Sequence, residues 1–207
     1  MNQPTNTKTR MITATAELLQ VQGYHATGLN QITQESNTPK GSLYFHFPGG
    51  KEELAIAAIE AAGAEESQKI EAVLNSQEDV GDAVQAFTQL LAEGMLNSDF
   101  RKGCPVATVA IETSSTHESL RRVCEQIYMH WFELIEQRLL MAGFNPAETR
   151  TWSTLILASV EGALLLSRNQ KSVQPLEIIG EHIKTLINQA KPQHQPQQNF
   201  SQLNSVS

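Results

Sequence analysis

Apolar residues recur at spacings of three and four along nearly the whole chain, and no stretch alternates strictly between apolar and polar as a half-buried strand does. The pattern predicts an all-α fold of nine helices. The first runs from about Lys8 to Gln22, with Ile12, Ala16 and Leu19 on one face, and stops at Gly23, a residue suited to the left-handed turn that ends helices. After a break at Tyr24-His25-Ala26, Thr27 is placed to cap a short second helix through Ser36. Thr38-Pro39 opens a third that reaches about Phe45, because a proline at the first helical position gives up only an N–H that is unpaired anyway. Pro48-Gly49-Gly50 closes this head, residues 1–50.

The body is expected over 51–190, beginning with a long helix from Lys51 to about Asn75. Further helices are expected near Val80 to Leu96, from Pro105 to about Ser114, and from Glu118 to Met141, the last ending at Gly143. Asn145-Pro146 opens another through about Leu166, and Pro175 opens a final one to Ala190. Residues 191–207, glutamine-rich with Pro192 and Pro196, lack the apolar side chains that offset ordering entropy and are expected to form a disordered tail.

A chain of 207 residues can bury a real core. No apolar run approaches the roughly 20 residues a bilayer span needs, and the polar start from Met1 to Arg10 is followed by no apolar signal core, so a cytoplasmic location is expected. Cys104 and Cys124 cannot build a disulfide framework. His117 and His130 lack the spacing of a helical metal pair, and no phosphate-binding glycine loop is present, so neither metal nor cofactor is expected. The net charge of -7 argues against a nucleic-acid partner until it is divided. Residues 1–51 carry Lys8, Arg10, Lys40 and Lys51 against Glu17 and Glu35, a balance of +2, while the rest carries 11 basic and 20 acidic groups, a balance of -9. Only the head can approach phosphate.

Within the head, Leu29 and Ile32 on the second helix and Leu43 and Phe47 around the third give two short helices apolar faces that must meet, which is a helix-turn-helix. Asn37 occupies the sharp turn, where asparagine takes positive φ at low cost, and Ser36 before it is small enough for close approach. The third helix then exposes Lys40, Ser42, Tyr44 and Phe45, and its N-terminal amides suit phosphate beside the groove.

The string Lys40-Gly41-Ser42-Leu43-Tyr44-Phe45-His46-Phe47, with Gly23-Tyr24, Ala26-Thr27, Ile32 and Lys51-Glu52-Glu53-Leu54, closely resembles the N-terminal domain of TetR-family transcriptional repressors. The resemblance covers about residues 8–60 and implies DNA contacts from Lys40, Ser42, Tyr44 and Lys51, with Thr27 on phosphate and Gly41, Phe45 and His46 beside them. The usual alanine-glycine turn is replaced by Ser36-Asn37, and Phe45 stands where a tyrosine or histidine is frequent. Pro48-Gly49-Gly50-Lys51 and Gly103-Cys104-Pro105-Val106-Ala107-Thr108-Val109-Ala110 are similar to the LmrA/YxaF-like branch. That implies a repressor of efflux or small-molecule-response genes, released from a palindromic double-stranded DNA operator when a small molecule binds the body.

An apolar or aromatic inducer is expected against Phe87, Leu91, Met95, Phe100, Cys104, Trp131 and Trp152, admitted by the loop from Asn97 to Gly103; core packing explains the same residues. Leu155, Ala158, Ser159, Gly162, Ala163 and Leu166 on the eighth helix, with Leu176, Ile179, Ile183, Leu186 and Ile187 on the ninth, form wide apolar stripes suited to a homodimer interface. Two alternatives stay open. Cys104, after Arg101-Lys102 and at a helix start, could form a thiolate and sense electrophiles or oxidants. Remoter is a hydrolase with Cys104 as nucleophile and His117 or His130 as base, although no spacing brings them together, so no enzyme is expected.

Overall fold

A computed structural model describes residues 6–191 of the chain. Its helices are α1 (Thr7–Ala26), α2 (Leu29–Glu35), α3 (Lys40–His46), α4 (Gly50–Ser76), α5 (Val80–Asn97), α6 (Pro105–Thr113), α7 (Glu118–Met141), α8 (Pro146–Gln170) and α9 (Gln174–Ala190). No strand occurs among the described residues. The tail expected beyond Lys191 lies outside them.

Several helix starts follow local chemistry. Asp79 caps α5 by accepting from the amides of Gly81 and Asp82, Asn145 caps α8 through Ala147, and the sulfur of Cys104 accepts from Ala107 at the start of α6. Three expectations shift. Gly28, not Thr27, is the N-cap of α2, with no side-chain cap. Pro39 is the extended N-cap of α3 rather than its first turn. α8 runs past Leu166 to Gln170, because no glycine or proline falls in the turn after Leu166 and that turn is tied down where the Arg168 guanidinium donates to the carbonyl of Val21 on α1. Lys171, in the left-handed conformation, ends it.

Three apolar clusters organise the chain. Met11, Ile32, Leu43, Phe47 and Leu54 form the core of the head, joining α1, α2, α3 and the start of α4. The main core joins Leu19 and Tyr24 of α1 to Ala58 and Ile59 of α4, Val106 and Val109 of α6, Leu120 and Trp131 of α7, and Ile183 and Ile187 of α9. A third cluster, around Met95, Val160 and Leu176, lies between α5, α8 and α9. α1 thus belongs to head and body alike: Met11 packs with Leu43 and Phe47, while Leu19, two turns on, packs into the body. α1 breaks at Gly23, whose φ of 80° and ψ of -178° suit only glycine.

Candidate DNA-binding face and ligand cavity

The second and third helices pack as a helix-turn-helix. Asn37, at φ 47°, makes the turn, and its amide donates to the carbonyl of Gln34. The buried hydroxyls of Ser36 and Thr38 bond to each other at 2.6 Å, fixing the approach of the two helices. With Leu43 and Phe47 turned inward, α3 presents Lys40, Gly41, Tyr44 and Phe45 to solvent, and Ser42 and His46 are half-buried. Phe45 is 80% exposed and Tyr44 51%, values that no folding requirement explains. A Cβ on Gly41 would meet nothing in the protein, so packing does not demand the glycine either. Thr27 behaves differently from its expected phosphate role: it is wholly buried, and its hydroxyl donates to the carbonyl of Gly23 at 2.6 Å. That hydroxyl closes the break in α1 and is not available at the surface.

Lys51, in the first turn of α4, stands over the ring of Tyr24 at 4.3 Å. Burial lowers its pKa, and the carboxylate of Glu112 on α6 opposes that shift. Glu112 also accepts the backbone N–H of His25 at 2.8 Å, directly behind Gly23, where a Cβ would sit 2.0 Å from its Oε1. Tyr24 packs edge-on to His117 at 4.9 Å. Head and body are therefore tied at three places along α1: Gln20 Nε2 to the carbonyl of Gly103 at 2.7 Å, Arg168 to Val21, and the amide of His25 to Glu112.

An open cleft of about 450 Å³ lies between α1, α4 and α5, with Lys102 and Gly103 of the α5–α6 loop at its rim. Behind it, sharing Gln20, Glu66, Leu91, Gly103 and Leu164 as walls, is a chamber of about 70 Å³ lined also by Phe87, Cys104, Trp131 and Glu161. Of the expected pocket residues, Phe87, Leu91, Cys104 and Trp131 line the chamber, and Leu91 and Met95 line the cleft. Phe100 and Trp152 do not. Phe100, with φ 55°, packs into the cluster around Met95, and Trp152 stacks edge-on to Phe144 at 5.8 Å. Trp131 is fixed by an Nε1–H bond to the hydroxyl of Ser67 at 2.9 Å.

The residue that sequence reasoning missed is Glu161. It lies on α8 one turn from Leu157 and three residues from Leu164, both buried, so a charge interrupts an otherwise apolar helical stripe. Its carboxylate accepts from the Tyr128 hydroxyl at 3.2 Å. Burial raises its pKa and Glu66 pushes the same way, outweighing the hydrogen bonds from Cys104 and Tyr128. Burial also pushes the Cys104 thiol well above its ordinary value, and Glu161 adds to the shift, overcoming the amides at the start of α6. The basic neighbours Arg101 and Lys102 do not offset this; the Arg101 side chain bonds to the carbonyl of Ser98. The thiolate on which the sensor alternative depends is disfavoured.

On the outer face of α8 and α9, Leu155, Leu166 and Leu186 are exposed, joined by Leu165 and Ile178, and Ser159, Gly162 and Ile179 are half-buried beside them. Ala163 and Ile183, expected there, are instead buried in the chain's own core at 2% exposure, as are Leu176 and Ile187 at 0%.

Comparison with known proteins decides the family. Residues 11–58 match the family described as bacterial regulatory proteins, tetR family, and residues 81–182 match that described as transcriptional regulator LmrA/YxaF-like, C-terminal domain. Over 182 residues the chain is 38% identical to the uncharacterized HTH-type transcriptional regulator YxaF of Bacillus subtilis, covering 88% of this chain and 95% of that protein. The chain belongs to the TetR family of transcriptional regulators. Within it, the regulator falls in the LmrA/YxaF-like branch, and it is equally 38% identical to the HTH-type transcriptional regulator LmrA of the same bacterium, over 88% of this chain and 97% of that one. Among solved structures, a TetR transcriptional regulator from Legionella pneumophila superposes with a TM-score of 0.74 at 26% identity, over 93% of this chain and 100% of that one. The regulator is thus a helix-turn-helix DNA-binding protein and not an enzyme. Among the described residues no helix is long and apolar enough to cross a membrane.

Proposed function

We propose that the regulator is a ligand-responsive repressor, with a DNA-binding head over residues 1–50 and a ligand-binding and dimerisation body over 51–190, that holds a palindromic operator as a homodimer and releases it when a small apolar or aromatic inducer enters the body. Genes for efflux or small-molecule response are the fitting targets. The observation that carries this reading is the double membership of α1. Its Met11 packs with Leu43 of α3, while its Ala16 and Gln20 form a wall of the cleft. A ligand that parts α1 from α4 and α5 moves the anchorage of α3 without any relay.

On DNA, α3 enters the major groove. Lys40 and Tyr44 reach phosphate and base edges, exposed Phe45 suits a thymine methyl, and Gly41 leaves room for the backbone of the duplex. Ser42 and His46 flank them, and Lys51 reaches phosphate from the start of α4. Leu155, Ser159, Gly162, Leu166, Ile179 and Leu186, with Leu165 and Ile178, supply the dimer face, whose two-fold axis matches a palindrome with half-sites about 34–36 Å apart. A ligand lowers operator affinity only to the extent that it binds the DNA-incompetent spacing more tightly. The test is selection of bound duplexes from a random library, followed by release with apolar aromatic compounds in a fluorescence-anisotropy assay. A palindromic consensus and reversible release are expected; absence of any sequence preference overturns the reading.

A further inference from the structure

The turn between α2 and α3 is closed by a ring of hydrogen bonds. Asn37 stands in the left-handed conformation at φ 47°; its amide donates to the carbonyl of Gln34 at 3.1 Å, and the Thr38 amide donates to the carbonyl of Thr33 at 3.0 Å. This pair of bonds is the Schellman ending of a helix, in which the side chain at the position of Thr38 commonly makes an apolar contact back to the last turn. Here the contact is polar. The Thr38 hydroxyl lies 2.6 Å from the Ser36 hydroxyl, both buried, and the Ser36 hydroxyl lies 3.5 Å from the same Thr33 carbonyl. Each hydroxyl has one proton to give. The arrangement that uses both runs from Thr38 to Ser36 to Thr33, so the amide and the hydroxyl of Thr38 end on one carbonyl. The chain beyond is stiff as well: Pro39, at φ -63°, has that torsion fixed by its ring, and Lys40 opens α3 directly after it. The other anchors of α3, Leu43 and Phe47, are apolar contacts, which hold the helix down without fixing its rotation.

From this arrangement we infer that Ser36 and Thr38 are positioning residues for operator recognition: their hydroxyl pair sets the angle at which α3 presents Lys40, Tyr44 and Phe45, and with it the preference for operator over other DNA. A hydrogen bond is directional, so the pair fixes an orientation that apolar packing leaves free. Base edges are read only at a fixed reach, whereas phosphate contacts carry no sequence information and survive a small rotation of the helix. A helix already set at the reading angle also binds without an ordering cost. Burial makes the pair asymmetric. Without Ser36 the Thr38 hydroxyl loses its partner; without Thr38 the Ser36 hydroxyl keeps the Thr33 carbonyl. The inference rests on the proposed role of α3 as the reading helix and is independent of any ligand.

The test measures, by fluorescence anisotropy and without inducer, the affinity of the full chain for its selected operator and for a scrambled duplex of equal length. Ser36→Ala is expected to weaken operator binding by about threefold per head, the scale of one net hydrogen bond, and so by about ninefold for two heads on one palindrome, with the scrambled duplex held within about twofold. Thr38→Val is expected to act in the same direction and less. The double variant Ser36→Ala/Thr38→Val leaves no hydroxyl buried without a partner, so it is expected to be more stable than Ser36→Ala alone and yet to keep the loss of preference. Thr38→Ser restores the hydroxyl and is expected to keep the parent's preference within about twofold. A purely structural role moves stability and leaves preference alone. Unchanged preference in Ser36→Ala, or a loss in Thr38→Ser equal to that in Thr38→Val, therefore overturns the inference. Amide hydrogen exchange of the wild type without DNA needs no variant: the Thr38 amide is expected to be as protected as that of Phe47, which bonds to Leu43 at 2.8 Å, and an unprotected Thr38 amide overturns the inference too. A parent with no preference between the duplexes removes the proposed function together with this inference; a parent whose preference the variants share removes the inference alone.

Discussion

The joint between head and body gives a prediction whose size follows from geometry. Gly23 has φ 80° and ψ -178°, a region closed to residues with a Cβ, and an added Cβ falls 2.0 Å from Oε1 of Glu112. Gly23→Ala therefore acts twice: backbone strain of about 1–3 kcal/mol, and expulsion of a carboxylate that accepts the His25 amide at 2.8 Å. Loss of that partly exposed bond costs about 0.5–1.5 kcal/mol. Gly23→Ala is expected to destabilise by about 2–4 kcal/mol and Glu112→Ala by about 0.5–1.5.

The double variant separates the two effects. With Glu112 already shortened, the alanine at position 23 meets no carboxylate and only the strain remains, so the double variant should be less destabilised than the sum by about 1 kcal/mol or more. Thermal unfolding at fixed protein concentration measures this, since each kcal/mol moves Tm by about 2–4 °C in a chain of this size and any self-association makes Tm concentration-dependent. Strict additivity, or Gly23→Ala within about 0.5 kcal/mol of the parent, refutes the reasoning.

Three further outcomes are expected. Lys51→Ala should weaken binding to all duplexes similarly and reduce the salt slope by about one unit, the signature of one lost phosphate contact; anisotropy titrations at several salt concentrations check it. Gly162→Glu, on the outer face of α8 where a Cβ meets nothing within its own chain, should leave the monomer fold intact and yield monomers in sedimentation, and an unchanged dimer counts against that face. Cys124, raised from 9.0 to about 11 mainly by burial, holds its proton longer in the folded chain than in the unfolded one. That stability is complete below about pH 9 and lost toward about pH 11, so denaturant titrations should show stability falling across that window with a shallower slope in Cys124→Ala. Cys104 contributes in the same direction.

The head was legible because each of its features is local. Asn37 at positive φ, the inward pair Leu43 and Phe47, and the outward Tyr44 and Phe45 are all fixed within about two turns of chain. Thr27 misled because a hydroxyl before a short helix has two uses. Here it closes the break at Gly23 instead of capping α2, a choice set by the tertiary position of α1. On α8 and α9 the apolar stripe was correctly seen but is wider than one face. Periodicity alone does not divide it between Ala163 and Ile183, which face the chain's own core, and Leu165 and Leu166, which face outward. The cavity was half legible: large side chains in the body pointed to Phe87 and Trp131, but Glu161 became visible only when α4, α7 and α8 were brought together.

The shared α1 also makes the coupling between cavity and operator testable as an equilibrium. If an inducer lowers operator affinity by some factor, operator must lower inducer affinity by the same factor, since both describe one coupling free energy, commonly about 1–3 kcal/mol. Gln20 is the side chain through which that coupling should pass, because it lines both cleft and chamber and its amide nitrogen donates to Gly103 at 2.7 Å, beside Cys104. Gln20→Ala leaves the apolar contacts of α1 with α3 and α4 in place, and Lys40, Tyr44 and Lys51 are untouched. Its expected effect is therefore selective: operator affinity without inducer within about threefold of the parent, a change of about 0.7 kcal/mol, but a smaller loss of operator affinity when inducer is added. Measuring inducer affinity with and without saturating operator gives the reciprocal factor, which must shrink equally. An undiminished coupling factor in Gln20→Ala means that α1 is held by its other ties to the body, Arg168–Val21 and Glu112–His25, which the corresponding alanine variants then separate.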